Sequence, residues 1–350
     1  MIYLASRQVH KHMRIEFLKE ILKKERIEYY HFIDDDKKSL KKQLSNLIKS
    51  KTIYVLPCNW PILTVLFGKL LGKRIVTEFY FSWYDASVND WKKYDKNSFK
   101  AKILKMIDWI IMKLADKVIF LNETEAKRYM KMILERDRNY EIIPLSVEER
   151  KKVELNYFRN KSEKFNIVWY GGYIPLHGLE KIIRAMEILQ RIDKKYQLYI
   201  LGNIEERSLK YKELIKNLNL KNCDITNDMT FLNEKLEPFL IEKCDLVLGG
   251  FGDSSKINEV ITHKMLDIFS MKGICLTAHS KAIDEYFKEN ESVFYCEKTP
   301  ESIAKKIVEI SKKELREIEK ISEKSYEIYK KYFVKEYYQR KIIEILILKK

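Results

Sequence analysis

At 350 residues the chain is long enough for two domains of ordinary size, and its 46% hydrophobic content supports packed cores rather than a disordered tract. No run approaches the ~20 apolar residues of a membrane-spanning helix, which leaves a soluble or peripheral protein. The formal charge of +16 is weighted to the first half, where residues 1–150 hold 30 basic and 20 acidic side chains. Lysine far outnumbers arginine, and no arginine-rich stripe or recognisable module accompanies the charge, so nucleic acid is not the expected partner.

The opening Met1-Ile2-Tyr3-Leu4-Ala5 reads as a first strand rather than a signal peptide, because no basic segment precedes an apolar one. Strands are expected at Ile2–Ala5, Tyr29–Ile33, Thr52–Leu56, Arg74–Phe79, Lys117–Leu121 and Glu141–Pro144. Helical patterns lie between them at roughly 11–25, 37–49, 60–71, 98–115 and 123–135. Three acids, Asp34-Asp35-Asp36, open the second helix and complement its dipole, and Pro61 falls in a first helical turn, where proline is tolerated. From Trp91 to Leu114, seven lysines interleave with Ile103, Ile107, Ile110 and Leu114 at helical spacing. That segment reads either as a basic helix lying on an anionic membrane surface or as a domain helix with a solvated lysine face.

The stretch Ser146–Lys164 is polar, lacks an apolar period and reads as an interdomain linker. A second alternation follows: strands at Asn166–Tyr170, Tyr196–Leu201, Cys223–Ile225, Asp245–Leu248, Ile274–Leu276 and Ser292–Cys296. Helices are expected near 178–191, 206–218 and 232–243, from about Val260, and finally over Tyr326–Leu348. Strands alternating with helices imply doubly wound parallel sheets. The five cysteines, Cys58, Cys223, Cys244, Cys275 and Cys296, are scattered without CxxC or zinc spacing and read as reduced core residues of a cytoplasmic protein.

The most telling unit runs from Leu248 to Thr277. A buried strand breaks into Gly249-Gly250-Phe251-Gly252, and a helix follows that carries Lys264 and Asp267 on one face near its start. Glycines at a strand end let backbone approach a ligand, and a helix start offers free N–H groups to an anion. An ammonium there suits a diphosphate, and a carboxylate one turn on suits a ribose diol. The competing reading is a buried strand, loop and helix with a solvated Lys-Asp pair. A second strand, glycine turn and helix start occurs at Trp169-Tyr170-Gly171-Gly172-Tyr173-Ile174-Pro175-Leu176-His177-Gly178.

The first unit resembles the donor-binding region of retaining family 4 glycosyltransferases, in the branch written G-I-F-G-D-x-x-K-x-x-x-V-I-P-N-K-V-x-E-A-L-A-M-G-K-P-V-I-T. Gly250 to Asp253, Val260-Ile261, Lys264, Met271 and Thr277 match; the family's Pro-Asn is Thr262-His263 here and its glutamate is Asp267. The second unit is similar to the family's G-x-Y-I-P-L-H-G. Where better-known branches grip the donor diphosphate with a loop arginine and lysine, this chain has Gly172 and His177. Gly202 and Thr230-Phe231-Leu232 fall where such enzymes line the nucleotide. The segment Phe81–Asp90 resembles the family's F-D-P-F-I-S-L-Y-D-T-L-V-N-D. Glu78, ending a strand, and Asp85, in the following loop, are therefore candidates to orient an acceptor hydroxyl or its proton. The alternative is a pair of solvated loop carboxylates.

The resemblance implies a GT-B architecture, an α/β fold of two Rossmann-like, doubly wound parallel-sheet domains. Residues 1–147 would be the acceptor domain, 148–164 the linker, 165–328 the donor domain, and 329–350 a C-terminal helix crossing back to the first domain. It further implies a hexosyltransferase-type enzyme with its active site in the cleft between the domains. That enzyme would move a sugar with retention from a nucleotide-sugar donor to a saccharide or lipid-linked saccharide. Surface polysaccharide or glycolipid assembly, in the cytoplasm or peripherally on the inner membrane face, would be its setting. Candidate catalytic residues are Glu78, Asp85 and His177; donor-binding candidates are Gly171, Gly172, Gly202, Phe251, Gly252, Lys264 and Asp267. No metal or other cofactor is expected, although Asp34-Asp35-Asp36 mimics the D-x-D metal motif of the other major glycosyltransferase fold. Two alternatives stay open: a nucleotide-sugar epimerase on the same fold, and a catalytically degenerate binding subunit.

Overall fold

The computed structural model describes residues 1–5, 13–31, 39–56, 62–134, 138–160 and 163–348. Asp34-Asp35-Asp36, Cys58 and Pro61 lie outside the described residues. The chain divides into two compact units, Met1–Pro144 with Lys335–Lys350, and Leu145–Val334.

The first unit is built on six strands: β1 (Ile2–Ala5), β2 (Tyr29–His31), β3 (Thr52–Val55), β4 (Arg74–Glu78), β5 (Lys117–Phe120) and β6 (Glu141–Ile142). They form one sheet in the order β2-β1-β3-β4-β5-β6, with every pairing parallel. Parallel strands covered on both faces read as unbroken apolar runs, as Ile-Tyr-Leu-Ala and Thr-Ile-Tyr-Val do here. One face packs under the helices Leu40–Lys49, Ile62–Leu70 and Phe99–Leu114 through Leu47, Val65, Ile111 and Met112. The other packs under Met13–Lys24 and Lys335–Ile343, through residues such as Leu18, Leu22, Tyr338 and Ile342.

The second unit repeats the plan with β7 (Phe165–Gly171), β8 (Tyr196–Gly202), β9 (Cys223–Thr226), β10 (Leu246–Leu248), β11 (Cys275–Ala278) and β12 (Phe294–Cys296). Its order, β12-β11-β10-β7-β8-β9, is also parallel throughout. The winding therefore reverses direction between β7 and β10. In open parallel sheets, ligands bind beyond the carboxyl ends of the strands flanking such a reversal.

Three local departures from the sequence expectations matter. The polar stretch after Leu145 packs along the second unit: Val153 N–H donates to Met271 O at 2.9 Å and Glu154 N–H to Ile241 O at 3.1 Å. Its scattered Val147, Val153, Leu155 and Phe158 are buried, too irregularly spaced to show a period. The expected single terminal helix is interrupted at Phe333-Val334 between Leu315–Tyr332 and Lys335–Ile343. Finally, the helix expected from Val260 starts at His263, after a short turn at Ser255–Glu259 and an extended Val260. Lys264 consequently stands in the first turn of the His263–Ser270 helix.

Candidate functional site

The two glycine loops follow β7 and β10, the strands at the reversal. They are laced to each other: Phe251 N–H donates to His177 O and Gly252 N–H to Leu176 O, each at 3.0 Å. A Cβ at Gly178 would come within 2.5 Å of the Phe251 carbonyl carbon, and one at Gly252 within 2.5 Å of Leu176 O. Gly178, at φ +63°, also needs the left-handed backbone. Phe251 and Gly252, both donor candidates, thus spend their amides on the loop-to-loop contact, and the Phe251 ring is fully buried.

Gly171 is different. A Cβ there would stand 3.2 Å from His177 Cε1 and 3.8 Å from Lys264 Nζ, so these two side chains converge on its bare backbone. Lys264 is 4% exposed, with its ammonium 4.4 Å from the centre of the Trp169 ring and no hydrogen-bond partner. Burial pushes its pKa down to about 7, and the positive end of its own helix disfavours the charge further. His177 Nδ1 is also without a partner. Burial first, and then the Lys264 charge, press His177 down to about 2, so at neutral pH it offers a neutral ring rather than a cation. Thr262 Oγ1, at the cap of the same helix, is a third buried polar atom without a partner. Buried polar atoms are nearly always satisfied, so these orphans lack the partners that such groups normally find within a protein.

Asp267 follows one turn on. It is 5% exposed and sits 3.4 Å from both Tyr170 Oη and Arg150 Nε. Burial pushes it up to about 6, with Arg150 pulling the other way. Arg150 lies over Phe231, its guanidinium carbon 3.6 Å from the ring centre. Sequence reading placed Arg150 in a featureless polar stretch; no local signal marks it.

Two further glycines are donor candidates. A Cβ on Gly202 would meet Tyr173 Oη at 2.0 Å, so this glycine makes room for Tyr173, which bonds Asn227 at 2.8 Å. Gly172 is open, and its carbonyl accepts from Arg207 Nη1 at 3.3 Å. Arg207, on the Glu205–Asn217 helix, thus brings a guanidinium to the loop position that lacks an arginine.

The first unit holds both candidate carboxylates among buried partners. Glu78 is fully buried at the end of β4. Its Oε2 pairs with Arg14 Nε, and its Oε1 accepts from Tyr54 and, at 3.0 Å, from Tyr338. Arg14 in turn donates to Pro144 O at 2.9 Å and Ile143 O at 3.0 Å. Asp85 is likewise buried, its two oxygens gripped by Arg128, with Asn89 at 2.7 Å. Both oxygens of each carboxylate are taken by partners 24 to 260 residues away for Glu78 and 4 to 44 for Asp85. Neither is a solvated loop acid.

Residues 152–328 match the family model described as glycosyl transferases group 1. The chain belongs to that family. No curated protein sequence matches it. Among solved structures, this group 1 glycosyltransferase is similar to the sucrose-phosphate synthase of Thermosynechococcus elongatus, at TM-score 0.70 and 12% identity over 98% of this chain and 97% of the other. A glycosyltransferase from Rickettsia africae aligns at TM-score 0.65 and 16% identity, covering 98% and 96%. The Anabaena HepE protein in complex with UDP-glucose aligns at 0.70 and 11%, covering 99% and 98%. At these identities the likeness establishes the fold, two doubly wound parallel-sheet domains of GT-B type. Among the described residues, no helix is long and apolar enough to cross a membrane.

Proposed function

We propose that this group 1 glycosyltransferase is a metal-independent, retaining hexosyltransferase. It would take a nucleotide-sugar donor and act on a saccharide or lipid-linked saccharide in surface polysaccharide or glycolipid assembly. The observation that carries this reading is the convergence of Lys264 Nζ and His177 Nδ1, both buried and unpartnered, on Gly171 at the reversal of the second sheet. Lys264 takes up a proton as the diphosphate enters and then meets the charge that grows on it as the glycosidic bond breaks. His177 contributes a neutral hydrogen bond, Arg207 a second cation at the open Gly172 loop, and Asp267 the ribose contact once Arg150 yields it. HepE, of the same fold, was captured with UDP-glucose, which makes uridine nucleotides the first donors to try.

Turnover is expected to persist in excess EDTA, because cationic side chains rather than a divalent ion hold the diphosphate. Release of nucleoside diphosphate from a donor and acceptor pair measures it, and the anomeric configuration of the product, read by NMR, tests retention. Activity abolished by EDTA and restored by manganese would sink the metal-independent reading. Release of free sugar nucleotide products without any acceptor would favour the epimerase.

The proton linkage gives a separate prediction. Lys264 lies at about 7 in the protein alone, and a bound diphosphate raises it. Binding then takes up a proton in the window above pH 7, and affinity for a nucleotide sugar falls as pH climbs from 7 toward 9, by up to tenfold per unit. Calorimetry in two buffers of different ionisation heat reads the uptake directly. Affinity that is flat across this window would mean Lys264 does not meet the phosphates.

A further inference from the structure

The first unit turns an apolar, acid-free helix layer toward solvent. On Ile62–Leu70 the stripe Leu63, Leu66, Phe67 and Leu70 points outward, with Leu63 77% and Leu70 82% exposed. On the neighbouring Phe99–Leu114 helix the outward stripe is Phe99, Lys102, Met106, Trp109 and Lys113, at the three- and four-residue spacing of one helix face, with Phe99 77% exposed. Leu40, Leu44 and Ile48 do the same on Leu40–Lys49. The inward residues of all three helices share one core beneath the same sheet face. An ordinary domain helix with a solvated lysine face would show only lysines on the outside. Here large apolar side chains stand among them.

Charge selects the occupant. The three helices carry eight lysines and one acid, Asp108, and Asp108 is buried, bonded to Ser82 at 2.6 Å. Lys69 is held by Asp116 at 2.6 Å. A second copy of this chain would set lysines against lysines across a two-fold axis. Nucleic acid has no use for exposed leucines. A bilayer with anionic headgroups accepts both parts, leucine and tryptophan at the acyl boundary and ammonium groups among the phosphates. A groove of about 350 Å³ lined by Lys102, Lys105, Met106, Trp109, Ile133 and Leu134 lies within the same surface.

We propose that this layer of the first unit is a monotopic docking surface for an anionic lipid bilayer. The full chain co-sediments with vesicles of phosphatidylcholine containing phosphatidylglycerol and stays in the supernatant with phosphatidylcholine alone. The triple variant Lys100→Glu, Lys102→Glu, Lys105→Glu loses partitioning by roughly 100-fold or more. Leu63→Ser, Phe67→Ser, Leu70→Ser lowers it comparably and removes the fraction retained at high salt, where lysine attraction is screened. Nucleotide affinity, carried by residues of the second unit, is unchanged in each variant, which separates lost docking from lost folding and from any failure of the donor site. Wild-type chain that ignores phosphatidylglycerol, or variants that partition like the parent, would overturn the proposal. A dimer in sedimentation velocity that the triple serine change dissolves, without vesicle binding, would assign the face to a second copy instead.

Discussion

Replacing Lys264 with methionine is expected to act in two opposite directions. Nucleoside-diphosphate affinity falls by ~1.5–3 kcal/mol, the worth of one charge-assisted hydrogen bond, while the ligand-free protein becomes more stable. The second effect follows from the pKa. An unfolded lysine titrates near its ordinary ~10.4, whereas burial holds this one at about 7. Between those values the unfolded chain binds the extra proton, so stability rises with pH across that window, and below pH 7 the cost of the buried ammonium is fully present. Methionine fills the same space without a charge and recovers on the order of 1–4 kcal/mol, at about 2–4 °C of melting temperature per kcal/mol for a unit of this size. Bare nucleoside, lacking phosphates, should bind the variant almost as before, and Asp267→Ala should weaken nucleoside and diphosphate alike. If Lys264→Met binds the diphosphate as tightly as the parent protein, the anion is held elsewhere, with the surroundings of Arg207 next to be tested.

Glu78→Gln should be the most damaging single change in the first unit. It leaves the Arg14 guanidinium buried at 4% exposure with only carbonyl partners. Burial is the largest influence on Arg14 and opposes its charge, but Glu78 together with Tyr338, Tyr80 and Tyr54 more than offsets it and keeps the group ionised. Breaking a buried pair by neutralising one partner costs about 3–5 kcal/mol. The variant should therefore melt far below the parent while keeping its nucleotide affinity. The opposite pattern, unchanged melting with lost turnover, would return Glu78 to the acceptor role that its position at a strand end first suggested.

Most strands were legible because they are buried on both faces: the run Phe165–Gly171 is one apolar sweep whichever way the sheet is wound. The start of the Lys264 helix was not, since Val260 and Ile261 continue the apolar pattern although they precede the helix. Lys264 itself was legible from its place after a glycine loop and from the family pattern. What surrounds it was not, because Trp169 and His177 arrive from β7 and the turn that follows it. The surroundings of the carboxylates were hidden for the same reason. Nothing near Glu78 announces Arg14, and nothing near Asp85 announces Arg128. Periodicity had a further blind spot: it groups Leu63, Leu66, Phe67 and Leu70 on one face but does not say that this face looks outward.

On the proposed reading, the lacing of the two glycine loops constrains how donor recognition can be remodelled. Each loop is pressed against the other so closely that Gly178 and Gly252 have no space for a side chain, and new chemistry cannot be grown from those positions without prising the loops apart. Variation has to be imported from neighbouring elements instead, as Arg207 already is from its helix. An effort to change the donor should therefore begin at Arg207, Phe231 and Arg150, which reach the site from outside and can be exchanged while its backbone stays intact.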